Sequence, residues 1–128
     1  MNEQQRNSLL LFGQFLIENF GDFGLQYFDD VLSLDPAQID QNRLGRLINN
    51  FDESQIETLK KCIALILSQS MHSFLYALRI NADFDGNIDV LSNGLSIAKI
   101  SDGIEGELYG EDGWITVFSK YRDIYSGV

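Results

Sequence analysis

Between Asn81 and Asp89 the chain reads Asn81-x-Asp83-x-Asp85-Gly86-x-Ile88-Asp89. That pattern suits calcium, which takes oxygen ligands from the first, third, fifth and ninth positions of a twelve-residue loop with glycine at the sixth. The twelfth position should carry a glutamate that grips the ion with both oxygens, but it is Ser92, and Asn81 stands where Asp is usual. No second loop of this kind pairs with it. The first reading is therefore an Asp/Asn/Gly turn joining a helix to a strand. A calcium-binding regulatory site built from Asn81, Asp83, Asp85 and Asp89 is the alternative.

Nucleophilic chemistry has less to draw on. The only cysteine is Cys62 and the only histidine is His72. On one continuous helix, ten residues separate such a pair by about 15 Å along the axis and turn the side chains apart. Cys62 sits in an apolar stretch and reads as an inert core thiol, His72 as a hydrogen-bonded helix residue. One Cys and one His cannot build a structural zinc site. Glycines 103, 106, 110 and 113 alternate with acids that would repel a phosphate. Glu105, Glu107, Glu111 and Asp112 could pair as acid and base, yet solvated acidic faces have the same spacing. No catalytic constellation stands out, and neither an enzyme nor a cofactor is expected.

Charge is distributed unevenly. The chain carries a net −10, and residues 83–112 hold eight acids against Lys99 alone, a net of −7. Such a field repels nucleic acid and anionic lipid and attracts basic protein surfaces. From Asp102 to Asp123 the acids interleave with Tyr109, Trp114, Phe118 and Tyr121. Trp114 and Phe118 read more simply as core, whereas Tyr109, between Glu107 and Glu111, is expected in solvent. The expected partner-binding set is Asp89, Asp102, Glu105, Glu107, Tyr109, Glu111 and Asp112. The competing reading is a non-catalytic adaptor whose acids only keep it in solution.

These residues need elements to hold them. Apolar positions Leu9, Phe12, Leu16 and Phe20 recur at helical spacing, and Gly21-Asp22 separates them from a shorter helix through Phe28 and Val31. Asp35-Pro36 reads as a cap followed by proline at the first helical position. The helix it starts carries Ile39, Leu44, Leu47, Ile48 and Phe51. Ser54 and Glu57 have capping-box spacing for a helix that runs to about Ile80, unless serines 68 and 70 break it. Asn93-Gly94 suits the tight turn of a hairpin between Ile88–Leu91 and Leu95–Ile100. A helix there would carry Gly94 inside at a cost of about 1 kcal/mol. Trp114 to Tyr125 is expected as a C-terminal helix capped by Asp112, against the β-branched run Ile115-Thr116-Val117. The fold class is α+β, mainly α. One domain spans 1–128, with about four bundled helices over 1–82 and an acidic hairpin and C-terminal helix over 83–128. No apolar run spans a bilayer, and MNEQQRNS lacks the basic start of a signal peptide. The chain is expected in the cytoplasm, away from membranes.

Two stretches, Met71-His72-Ser73-Phe74-Leu75-Tyr76-Ala77-Leu78 and Ser101 to Ile115, resemble a group of small bacterial proteins associated with the immunity proteins of polymorphic toxin systems. The resemblance implies a stoichiometric inhibitor that covers the active site or cleft of a cognate toxin. It carries no defined functional residues across.

Overall fold

The side chain of Asn2 accepts the Gln5 N–H while Gln5 reaches back to the Asn2 N–H, and this reciprocal cap starts α1 (Glu3–Leu16). The computed structural model describes all residues, Met1–Val128. The helix does not stop at Gly21-Asp22 as the sequence suggests. It passes through a π-helical turn (Ile17–Gly21), in which the Asp22 N–H donates to the carbonyl of Ile17, and continues as α2 (Asp22–Leu32). A π turn adds one residue to the helical register, so everything beyond it rotates by about 100°. Phe20 therefore faces solvent, contrary to the periodicity, while Ile17, Gly21, Asp22 and Leu25 turn inward.

Asp35 and Pro36 start α3 (Pro36–Ile39) as expected, with the Asp35 carboxylate accepting the Gln38 N–H. The helix ends after one turn because Asn42 caps a new one, α4 (Arg43–Ile48), by accepting the Gly45 N–H. α5 (Glu53–Asp83) is capped by Asp52 and Gln55, not by Ser54 and Glu57. It runs unbroken past serines 68 and 70, with the Ser68 hydroxyl donating back to the Leu65 carbonyl. Residues 1–82 thus form two long helical rods joined by two short helices, where the sequence suggests about four bundled ones.

The hairpin is present and short. β1 (Leu91–Ser92) pairs antiparallel with β2 (Leu95–Ser96), and Asn93 and Gly94 take positive φ angles of 50° and 79°. Gly94 occupies that left-handed conformation without strain. α6 (Ile97–Ile100) and a 3-10 turn (Ile104–Leu108) follow. The expected C-terminal helix is instead two: α7 (Trp114–Phe118), starting after Gly113 and not capped by Asp112, and α8 (Arg122–Ser126).

One core draws on both parts of the chain. Leu16, Ile17 and Leu25 meet Met71 and Leu75 of α5, and Ile97, Ile104, Leu108 and Trp114 close over them. Trp114 lies flat against the α1 backbone: a Cβ on Gly13 would overlap its indole ring. Phe12 packs on the same ring edge-on, with centroids 5.9 Å apart. Trp114 and Phe118 both pack in this core, as their place in the sequence pattern suggests.

The break between α7 and α8 has a polar cause. Asp22, only 4% exposed, accepts the Ser119 hydroxyl at 2.6 Å and the Lys120 backbone N–H at 2.9 Å. The Ser119 oxygen in turn accepts the Tyr121 N–H. Backbone groups spent on Asp22 cannot continue a helix. Beyond the break, Tyr121 donates to Asp29, which also holds Lys60 at 2.7 Å. Burial, then that hydrogen bond, pushes the Tyr121 phenol up to about 12.

Replacing Asp22 with Ala strips the buried Ser119 hydroxyl and the part-buried Lys120 backbone N–H of their acceptor. The expected loss is about 3 kcal/mol. Ser119→Ala should cost about 1 kcal/mol. Urea unfolding reads both, and equal midpoints for wild type and Asp22→Ala would remove Asp22 from this role.

Candidate functional site

The acid-rich segment from Asp83 to Asp112 divides into carboxylates that the fold uses and carboxylates that it leaves in water. Arg79, near the end of α5, is the main reason. Its Nε and Nη2 grip Glu105 of the 3-10 turn at 2.7–3.0 Å, and Nη1 lies 3.5 Å from Asp83. The guanidinium also stands 5.1 Å over the Tyr76 ring. Glu105 is thus committed to a forked internal ion pair, and its carboxyl is held below the usual range, first by the Arg79 hydrogen bond. Asp89 accepts the Ser96 hydroxyl and Glu107 the Ser101 hydroxyl. Glu105, and in part Asp89 and Glu107, are therefore structural acceptors. Asp102, Glu111 and Asp112, with Asp85, stand exposed.

The free acids do not form one continuous sheet of charge. Asp85 and Asp89 border a small hollow at the end of α5, together with Ala82 and Lys99. Glu111 instead lines a cleft of about 540 Å³ against the middle of the same helix. Ala82 and Gln69 are thirteen residues apart on α5, about 20 Å along its axis.

The cleft at Glu111 is the better-built surface. Leu65 and Gln69 of α5 form one wall, Tyr109 and Thr116 the other, and Arg122 and Tyr125 of α8 close the end. The Tyr109 side chain is exposed, as the sequence suggests, and its ring rests on His72 with centroids 5.9 Å apart. Partial burial pushes the Tyr109 hydroxyl up from its ordinary value. The 3-10 turn carrying Glu105 immediately precedes Tyr109, so the Arg79 ion pair positions this wall.

The cleft opens onto a face of α5 that the charge pattern does not point to. Leu65 and Gln69 also border a shallow depression with Ile66, Ser73, Phe74 and Ala77. No Asp, Glu, Lys or Arg occurs in the seventeen residues from Cys62 to Leu78. The outer side of a surface helix ordinarily carries charge. This one leaves Ile66 63% exposed and Phe74 46% exposed. α5 is also long and apolar enough to cross a bilayer by length and composition, although 28% of that window is buried against the rest of the chain.

Other expectations resolve locally. The Asn81 amide donates to the Ile88 carbonyl, and the Gly86 N–H donates to the Asn81 carbonyl, so the 81–89 segment closes on itself as a turn. No three His, Cys, Asp or Glu side chains come together in a way that could hold a metal ion. Ser92, at the loop's twelfth position, is buried and donates to the Ser8 carbonyl. Cys62 is exposed, not in the core, because helical spacing puts it on the outer side of α5 with Leu65, Ile66 and Gln69, while Ala64, Ser68 and Met71 face inward. His72 lacks the partner expected for it: its Nδ1 is buried and unbonded.

No protein-family model matches this chain, and neither a curated protein nor a solved structure does.

The depressed carboxyl of Glu105 has a pH consequence. A carboxyl held below its ordinary 4.5 contributes stability that is complete above that value and is lost as pH falls through the lowered one. Wild type should exceed Glu105→Gln in urea midpoint at neutral pH, and the gap should close as the solution is acidified below pH 4.5. A gap that is constant with pH would mean that Arg79 does not favour the charged form.

Proposed function

We propose that this chain is a non-catalytic, cytoplasmic binding protein of the immunity type, which neutralises a cognate toxin by covering a basic surface or cleft. The observation that carries this reading is the meeting of two surfaces at one edge. Tyr109 and Glu111 border a cleft that runs directly into the uncharged, apolar outer face of α5. Interfaces of this kind combine an aromatic or aliphatic centre that excludes water with a polar rim. Apolar patches left in solvent and rimmed by polar groups are common at protein-binding sites.

The charge supports a basic partner. The net −10 gives a long-range field that accelerates encounter with a positive surface, and Asp102, Glu111 and Asp112 are carboxylates that no internal cation neutralises. Glu105 drops out of the set, and Asp89 contributes at the far end of α5. Apolar contacts through Ile66 and Phe74 would then set how long the complex lasts, because residence follows buried, desolvated area more than rim charge. The resemblance of the 71–78 and 101–115 segments to toxin-immunity proteins falls on the two walls of this region.

The test is co-expression with the product of the adjacent gene, followed by kinetics on the purified complex. Reversing Glu111 and Asp112 to Lys should slow association about 10-fold at low salt, with the difference shrinking as salt rises. Phe74→Asp should chiefly speed dissociation, also by about 10-fold. Association unaffected by charge reversal or salt removes electrostatic steering. A complex that forms with unchanged kinetics in all these variants removes the surface.

A further inference from the structure

A second cavity, of about 470 Å³, lies beside the π turn. Glu18, Asp22, Phe23 and Gln26 border it from the helix side, and Phe118 and Lys120 from the crossover between α7 and α8. Its back wall is a buried charge without a counter-ion. Asp22 accepts one hydrogen bond on each oxygen, from the Ser119 hydroxyl and the Lys120 backbone N–H, and neither donor is a cation. Buried carboxylates are ordinarily paired with a positive group or a metal. The Lys120 ammonium, which borders the same cavity, forms no ion pair with Asp22 and stands 5.9 Å from the Tyr121 ring centroid.

The remaining walls suit a cation with an alkyl or planar body. Phe23 is 63% exposed and stacks on Tyr27, which keeps a phenyl ring at the mouth in water. Phe118 faces the same space from the other side. Glu18 is steadied by the Gln14 amide on one oxygen, which leaves the other free. A guanidinium or ammonium group is attracted by both carboxylates and by aromatic faces, and guanidinium stacks best. The cavity also sits on a π turn, an irregularity that recurs at functional sites.

We infer that this cavity receives the cationic end of a ligand, a guanidinium or alkylammonium group, set between Phe23 and Phe118 against Glu18 and Asp22. The group comes either from an arginine or lysine of a protein partner or from a free small cation. The site shares no residue with the cleft at Glu111, so failure of one leaves the other standing.

Nitrogen-15 NMR of the whole chain tests it, with butylguanidinium chloride and the peptide acetyl-Gly-Arg-Gly-amide as probes and potassium chloride as the ionic-strength control. The amides of Glu18, Phe23 and Lys120 should shift saturably at millimolar concentration. Glu18→Gln and Phe23→Ala, both at solvent-facing positions, should each weaken binding about threefold or more while the spectrum stays that of a folded protein. Tighter binding of the peptide assigns the site to a partner's side chain, and tighter binding of butylguanidinium assigns it to a free cation. Equal shifts with potassium chloride, shifts that never saturate, or unchanged affinity in both variants overturn the inference.

Discussion

The fold turns on one buried carboxylate. Asp22 has almost no contact with solvent, so its charge must be met by donors from the chain, and the donors it finds lie 97 and 98 residues away. Three irregular features follow from that single requirement. The π turn supplies the extra residue that swings Asp22 from the outside of the first rod to the inside. The Lys120 backbone N–H is spent on it instead of on a helical carbonyl, and the Ser119 hydroxyl joins it there. The redirected chain then sets Tyr121 against Asp29 and Lys60 and sends Tyr125 into the core. Burial and the negative charge of Asp22 raise the Tyr125 phenol, which stays neutral beneath Gly21.

Features decided within about four residues are legible in the sequence. Asp35-Pro36 starts a helix, Asn93-Gly94 makes the hairpin turn, and the stretch from Ser54 to about Ile80 gives one long helix; each depends on caps, φ angles or spacing that neighbours fix. The capping box of α5 lies two residues before the one the sequence suggests, because Asp52-Gln55 and Ser54-Glu57 overlap. The box nearer the N-terminus prevails and leaves Ser54 inside the first turn. What depends on distant partners is not legible. Nothing near Phe20 announces a π turn, and nothing near Ile115 announces that Ser119 will be drawn to Asp22.

The same limit governs the acids. Net charge over a segment counts Glu105 and Glu111 alike, yet the first is locked to Arg79, 26 residues away, and the second lies open at a cleft. Tyr109 is legible because small and acidic neighbours leave it little to pack against. The outer face of α5 is written plainly as a run without charge, but an apolar helix reads as buried until the other elements fail to cover it. Here the loops close over only one side, the side of Ala64, Met71, Leu75 and Leu78.

An uncovered apolar strip is ordinarily a hazard, since two copies can bury it against each other. Charge opposes that outcome in this chain. Two molecules approaching through α5 each bring a net −10, and Glu111 stands in the cleft that adjoins the strip where the helices would meet. Within a Debye length of about 8 Å at physiological ionic strength, that repulsion is felt before the strips touch. A positive partner meets the opposite sign of field and reaches the same strip with an advantage. The acids and the apolar face then share the work of recognition, since the acids select what arrives and the apolar face determines how long it stays.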